Sequence, residues 1–320
     1  MSNDIFVLVE HRDGAIADAT FELLGRARQL AATSGGEAVA LLLGSGVESL
    51  SGKLGAAQRV LLVDDPALAE FTPSAYQSVL VPIVQERAPL LVLATNTGVG
   101  MDVAAGMSMA CGLALAAYAT DVTLDGGAPL VTTQLYAGKV NVRVRFRDGR
   151  GIATVVAGAF PAEAGQLAGS PTVERVTVGS VDGRIRFRRL LRPEAGDVDI
   201  TRESVLVSVG RGIGEADNIA LVEALAAALG GAVSSSRPIA DAGWLPRTRQ
   251  VGKSGLRVKP RLYLALGISG APEHLEGMRG ADLIIAINTD ARAPIFGVAH
   301  YGAVADLLDV VPALTKRITG

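Results

Sequence analysis

Residues 262–278 read LYLALGISGAPEHLEGM. The run 262–266 carries no charge, as a strand buried on both faces does. Gly267, Ser269 and Gly270 then break it, and His274 follows at the start of a segment with helical spacing. Where a strand turns sharply into a helix, backbone N–H groups are exposed at the corner. Glycine lets an anion approach them and the helix dipole adds to the attraction. The corner therefore predicts a bound phosphate. One helical turn further on, the imidazole of His274 is within reach of a polar ring carried by the same ligand. Together these features point to a nucleotide cofactor.

The strand pattern around this corner recurs along the chain. Apolar runs at 5–9, 38–43, 60–63 and 90–94 alternate with segments of helical period, the signature of a parallel sheet covered on both faces. The segment 19–32 carries Phe21, Leu24, Ala27 and Ala31 at helical spacing, and Glu22 is expected in its first turn, where the dipole favours an acid. The uncharged run 103–119 is rich in Gly, Ala, Ser and Met and reads as a buried helix leading into a strand rather than a membrane span. Runs 130–136, 140–146 and 152–156 alternate nearly every second residue, with turns at Gly138 and at Asp148 and Gly149, and predict an antiparallel extension of the sheet. In the basic stretch RIRFRRLLR, residues 184–192, the residues Arg184, Arg186 and Arg188 read as the solvent face of an edge strand. With Pro193 and Gly196 that stretch marks a boundary, giving domains at 1–195 and 196–320. A second α/β series follows: strands at 205–209, 232–234, 262–266 and 283–287, and a helix at 218–229.

Composition narrows the class. The 320 residues predict two domains, and 30 basic against 32 acidic residues argue against a nucleic-acid binder. Apolar residues make up 49% and aromatics only 4%, as in closely packed α/β layers. The single cysteine, Cys111, excludes an internal disulfide and leaves no thiol-based metal site. A strand that starts within five residues of the N-terminus leaves no room for a signal peptide, so a cytoplasmic protein without membrane insertion is expected.

Two other glycine motifs are weaker. Gly210-Arg211-Gly212-Ile213-Gly214 follows a strand, but its third glycine comes one position early, and Ser234, Ser235 and Ser236 stand where a ribose-binding acid would end the next strand. A conventional NAD site is therefore not expected. Gly252-Lys253-Ser254 resembles the end of a phosphate-binding P-loop, yet Arg247 occupies the place of its first glycine.

The segments VGRGIG (209–214), SRPIADAGWLPRTRQVGKSG (236–255), LYLALGISGAPEH (262–274) and IIAINTDARAPIFGVAHYGAVADLLDVVPALT (284–315) resemble the C-terminal domain of electron transfer flavoprotein α subunits. VLVEHRDG (7–14), ATNTGVGMDVAA (94–105) and LYAGK (135–139) extend the resemblance into the first half. It implies an α/β chain of two domains: a Rossmann-like N-terminal domain, a parallel sheet with an antiparallel extension that meets a β subunit, and a doubly wound C-terminal domain that binds FAD. It also implies an electron carrier without a metabolic substrate of its own. Such a heterodimer takes electrons from flavin dehydrogenases, acyl-CoA dehydrogenases among them, and passes them singly to a quinone oxidoreductase or another acceptor. Carried over by position, Arg211 lies near the phosphate and adenosine part of FAD, Ser236 contacts the cofactor and Arg237 crosses the isoalloxazine face. Ser254 stands where the family has a hydroxyl, usually threonine, bonded to flavin N5. Ser269 and Gly270 form the phosphate corner, His274 donates toward the flavin O2 edge, and Asn288 and Asp306 contact the ribose or adenine end. Gln250, Val251, Gly252, Lys253, Ala271, Pro272 and Glu273 complete the implied site.

A guanidinium held beside a ring that gains negative charge on reduction stabilises the reduced form, whatever the family. The chain also departs from the pattern. Relatives commonly carry glutamine where Lys253 stands and Ile-Gln where Pro272 and Glu273 stand, so two amides have become opposite charges, which are expected to pair. Around Gly158, in VAGAF, many relatives have an arginine that is missing here, which puts any partner contact made by that charge in question. Three readings follow: a one-FAD carrier, an α subunit of a bifurcating flavoprotein with a second FAD in its β subunit and NADH as donor, and a redox-inactive cofactor-binding scaffold. The presence of Arg237, Ser254 and His274 together favours a working flavin site.

Overall fold

The computed structural model describes residues 2–136, 140–177, 179, 181–189 and 198–320. It divides into two units, residues 1–189 and 190–320. Gly138, Arg192, Pro193 and Gly196, read above as turn and boundary residues, lie outside the described residues.

In the first unit the apolar runs become strands because their side chains are buried on both faces. In chain order the elements are β1 (Ile5–Leu8), β2 (His11–Arg12), β3 (Ala15–Ile16), α1 (Asp18–Ser34), β4 (Ala38–Gly44), β5 (Arg59–Asp64), α2 (Pro73–Arg87), β6 (Leu91–Thr95), α3 (Gly98–Cys111), β7 (Ala114–Asp125), β8 (Ala128–Leu135), β9 (Val140–Arg145), β10 (Gly151–Val155) and β11 (Thr172–Arg175). The main sheet runs β11-β5-β4-β1-β6-β10-β7-β8-β9. All neighbours are parallel as far as β7, and β8 and β9 add antiparallel strands. Ile5, Val7, Leu42 and Leu62 pack with Leu24, Ala27 and Ala31 of α1 on one face, while Phe6, Leu8, Leu41 and Val92 pack with Val79, Leu80 and Met107 of α2 and α3 on the other.

Four expectations are corrected here. Residues 152–156 do not extend the antiparallel ribbon: β10 inserts as a parallel strand between β6 and β7, because all five of its residues are buried and an antiparallel edge would leave one face wet. The 184–188 stretch forms no strand, since Ile185 and Phe187 between the arginines are 52% and 43% exposed and supply no buried face. Arg184 instead pairs with Asp182 at 2.7 Å, and β11 and β9 are the edges. Glu22 lies beyond the first turn of α1 and is buried, its carboxylate accepting the Gly158 N–H at 2.8 Å; Asp18 is the first-turn acid. The helix within 103–119 ends at Gly112, in the left-handed region, and only one face of it is covered, Met109 being 85% exposed. No described helix is long and apolar enough to cross a membrane.

At the carboxyl ends of β1 and β6, where the strand order reverses, the chain places a carboxyl group of its own. Glu10 accepts hydrogen bonds from the hydroxyls of Thr95 and Thr97, the latter at 2.7 Å, and Thr97 caps α3. Burial pushes the Glu10 carboxyl above its ordinary value, against the pull of the two hydroxyls. A carboxyl raised in the folded state contributes stability that is present below the ordinary carboxylate range and lost as pH rises. Glu10→Gln keeps an acceptor for the hydroxyls and removes that ionisation. The variant is expected to be more stable than the parent at pH 7 and to converge with it near pH 4, read by urea unfolding at both pH values.

The second unit contains β12 (Val205–Val209), α4 (Ile219–Ala228), β13 (Ala232–Ser235), α5 (Arg237–Asp241), β14 (Leu262–Leu266), α6 (Pro272–Met278), β15 (Leu283–Asn288), β16 (Tyr301–Val304) and α7 (Leu307–Thr319). Its sheet is wholly parallel, in the order β13-β12-β14-β15-β16. Val207, Val209 and Leu264 pack under Val222 and Leu225 of α4 and Val311 of α7; Leu206, Tyr263 and Ala265 pack under Leu275 and Met278 of α6 on the opposite face. From β12 the chain goes to one side for β13, then crosses to the other for β14. That reversal opens a crevice above the carboxyl ends of β12 and β14.

Candidate functional site

A cleft of about 840 Å³ fills this crevice, near the upper end of the range for ligand pockets. Every strand of the sheet except β16 contributes residues to it from its carboxyl end. Arg211 and Gly212 come after β12, Ser236 and Arg237 after β13, Gly267 to Ser269 and Ala271 after β14, and Asn288 ends β15. The backbone closes tightly beneath: Gly210 N–H donates to Leu266 at 2.9 Å and Gly212 N–H to Gly267 at 3.1 Å. A Cβ on Gly212 would meet the Gly267 Cα at 2.7 Å, so the two glycines allow the approach.

The second wall is the loop 250–254. Val251 N–H donates to Ser235 O at 2.9 Å and Lys253 N–H to Glu273 O at 2.7 Å, tying the loop to β13 and to α6. Gly252 has φ +136° and a Cβ there would lie 2.8 Å from Glu273 O. Buried Gln250 donates from Nε2 to Ser254 Oγ at 3.0 Å, which leaves the serine proton for another acceptor. Arg237 opens α5 with its side chain 68% exposed and Nε 3.1 Å from Asp241.

The corner after β14 is held open by its neighbours. Asn288 Nδ2 donates to Ile268 O at 2.9 Å and Ile295 N–H to Ser269 O at 3.1 Å. Among the described residues no protein acceptor takes the N–H of Ser269, Gly270 or Ala271. His274 is 6% exposed and lines the cleft. Its Nε2 lies 2.9 Å from the hydroxyl of Tyr263, which donates to Ser208 Oγ at 2.7 Å; Nδ1 makes no hydrogen bond of ordinary geometry among the described residues, although the Val251 carbonyl acts on the ring. Burial pulls the imidazole from 6.5 down to about 4, the Val251 carbonyl working the other way, so the ring is neutral near pH 7. Burial also raises the Tyr263 phenol well above its ordinary value, opposed by the hydroxyls of Ser208 and Ser234.

Most residues singled out in the sequence meet in this one cleft, and three do not line it. Gly270 packs against the backbone of Ile295, exposed Pro272 opens α6, and Asp306 caps α7 by accepting the Leu308 N–H at 2.8 Å. Gly212, Pro238, Gly267 and Ile268 line the cleft and were not singled out as site residues. Gly212 and Gly267 belong to the two glycine corners, where a signal was present. Pro238 and Ile268 carried none beyond their neighbours.

The donor set suits a dinucleotide: unpartnered backbone N–H groups for a pyrophosphate, and a buried imidazole nitrogen and a serine hydroxyl for a polar ring. Comparison with known proteins agrees. Residues 5–181 match the electron transfer flavoprotein domain, and residues 199–279 match the electron transfer flavoprotein FAD-binding domain. The chain is 37% identical over 317 residues to the electron transfer flavoprotein subunit alpha of Syntrophomonas wolfei, covering 98% of each chain. It is 33% identical to the corresponding subunit of Bacillus subtilis, over 99% of this chain and 98% of that one. It is 34% identical to the acryloyl-CoA reductase electron transfer subunit beta of Anaerotignum propionicum, over 98% of this chain and 95% of that one. The chain belongs to the electron transfer flavoprotein α-subunit family, and its second unit is an FAD-binding domain.

Proposed function

We propose that this chain is the α half of a cytoplasmic one-FAD electron carrier, paired with a β subunit, that accepts electrons from flavin dehydrogenases and passes them singly to a quinone oxidoreductase or another acceptor. The observation that carries this reading is the cleft, which His274 lines together with Ser269 and Ala271, whose backbone N–H groups have no acceptor among the described residues. The Anaerotignum relative is named as an electron transfer subunit of acryloyl-CoA reductase; a reductase draws electrons from such a subunit, so the name supports an acyl-CoA oxidoreductase as a redox partner on the accepting side. Bound FAD supplies the redox centre, which can exchange electrons singly or in pairs.

The chain's own residues hold and tune that centre. The N–H groups of Ser269 and Ala271, with Arg211, bind the pyrophosphate side, and Asn288 braces the corner they form. Gln250 orients the Ser254 hydroxyl so that its proton faces the ring. Lys253 and Glu273, joined through their backbones, set opposite charges at the ring edge; a double-mutant cycle on FAD affinity reads whether the side chains couple, and additive effects would remove the pair.

Arg237 adds a cation where negative charge builds up. Because its guanidinium is exposed and shares Asp241, its effect belongs near the water limit, about 1 kcal/mol at contact distance. Arg237→Ala is expected to lower the potential of the bound flavin by about 40 mV, the same energy expressed for one electron. An unchanged potential in a redox titration would detach Arg237 from the ring.

Counting flavins released from the co-purified native complex tests the whole reading. One per heterodimer supports it, two support a bifurcating complex, and none supports a redox-inactive scaffold.

A further inference from the structure

We propose that Asp241 is a positioning residue for Arg237: it takes the guanidinium by Nε from outside the cleft, so that the group meets the flavin ring in one fixed orientation. The proposal rests on Arg237 facing FAD, as read above.

Helix α5 carries the two charges against its own dipole. Arg237 is its first residue and Asp241 its last. A cation at the N-terminal end and an anion at the C-terminal end each stand in the less favourable place, and arginine before aspartate is the weaker order for a pair four residues apart. Support of the helix therefore does not explain the pair. A local rule broken at the rim of a binding cleft points to the ligand instead. Arg237 lines that cleft with Ser236 and Pro238, whereas Asp241 lies outside its lining.

The geometry of the guanidinium gives the role. Nε of Arg237 donates to Asp241 Oδ2 at 3.1 Å. A guanidinium is a rigid plane with five N–H donors, so a bond at Nε fixes the tilt of the plane and leaves the terminal nitrogens for other acceptors. Without that hold, a side chain 68% exposed samples many rotamers, and its charge reaches the ring only part of the time. The other carboxylate oxygen, Oδ1, lies 3.9 Å from a terminal nitrogen of Arg247. Arg247 opens the turn Arg247–Arg249, which leads into Gln250 and the loop 250–254. Asp241 thus links the Arg237 rim to the turn ahead of the second wall. Two guanidinium groups share one carboxylate, so positive charge is left over for the ring. An aspartate that served only to cancel Arg237 would gain nothing from a second cation. Exposed pairs hold weakly, so losing Asp241 should give part of the effect of losing Arg237.

The test compares Asp241→Asn, which keeps an acceptor oxygen without the charge, with Asp241→Ala, which keeps neither. Both alter an exposed side chain and are expected to fold. Redox titration of the FAD-loaded heterodimer should place the flavin potential of Asp241→Ala below that of Asp241→Asn, by less than the drop caused by Arg237→Ala. In an Arg237→Ala background the two substitutions should give the same potential, because nothing remains to be held. In the FAD-free heterodimer, nitrogen NMR should show the Arg237 Nε–H, assigned by its disappearance in Arg237→Lys, exchanging with water faster in Asp241→Ala than in the parent. Equal potentials for the two Asp241 variants with Arg237 present, the same difference retained without Arg237, or unchanged exchange at Nε overturns the proposal while the reading of Arg237 stands. If Arg237→Ala itself leaves the potential unchanged, that reading falls and takes the proposal with it.

Discussion

Acidifying the FAD-free protein from pH 6.5 to 4 is expected to cost the second unit about 3 kcal/mol through His274 alone. The ring is held at about 4 in the fold against 6.5 when free, a separation near 2.5 units at about 1.4 kcal/mol each. The sign follows from where the proton goes. Above pH 6.5 neither state binds it and the full stability is present. Below that the unfolded chain takes up a proton that the buried ring refuses, so stability falls until the folded ring also titrates near 4. The Tyr263 hydroxyl and the Val251 carbonyl act on the ring, and Glu273 is beside it in sequence; the phenol does not titrate in this window. His274→Asn removes the titration while keeping a polar side chain. Urea midpoints of parent and variant, compared at pH 7 and pH 4.5, should converge or cross as pH falls. Parallel pH profiles would show that the ring is protonated as easily in the fold as outside it, and would remove the case for a neutral ring. Background carboxylates, including Glu10 and Glu22 of the first unit, cancel in the comparison.

What the sequence revealed depended on which physical signal a residue carries. Strands buried on both faces announce themselves as uncharged runs, so β1, β4, β5, β6, β12, β14 and β15 were all legible. β10 belongs to the same kind, but the turn at Asp148 and Gly149 before it imitated a hairpin, and only the register shows that the chain leaves β9 to cross over the sheet. The arginines of 184–188 alternate as strand residues do, yet alternation without an apolar counter-face has nothing to bury. The cleft was legible through its glycines, because a tight backbone approach demands them and leaves a mark in the sequence. Ser208 and Tyr263 left none: a hydroxyl inside a strand reads as an ordinary strand former, and their meeting depends on pairing between strands more than fifty residues apart. Asp306 was ambiguous for a similar reason, since an aspartate ahead of a helix serves equally as a cap or as a ligand; its carboxylate caps α7.

Gly270→Ala is expected to destabilise the second unit by more than about 3 kcal/mol and to abolish FAD binding, while Gly214→Ala costs less, the conformational strain alone, about 1–3 kcal/mol. Both glycines have positive φ, +85° and +81°, where a Cβ is strained at a cost of about 1–3 kcal/mol; ψ of −69° gives Gly214 the conformation of a γ-turn. Their surroundings differ. A Cβ at Gly214 finds nothing nearer than Asn218 Nδ2 at 4.0 Å. At Gly270 it would lie 2.3 Å from Ile295 N and 2.6 Å from Ile295 Cα, and backbone atoms cannot rotate away as a side chain can. The Ile295 segment must retreat, which breaks its N–H bond to Ser269 O and moves the N–H groups that face the cleft. Loss of stability and loss of the ligand corner therefore come from one displacement. Denaturant unfolding of the two variants separates the conformational cost from the steric one, and FAD titration of each shows whether the corner survives. Equal destabilisation by the two alanines would mean that the Ile295 backbone gives way freely, and that the corner after β14 is not held in the form a phosphate requires.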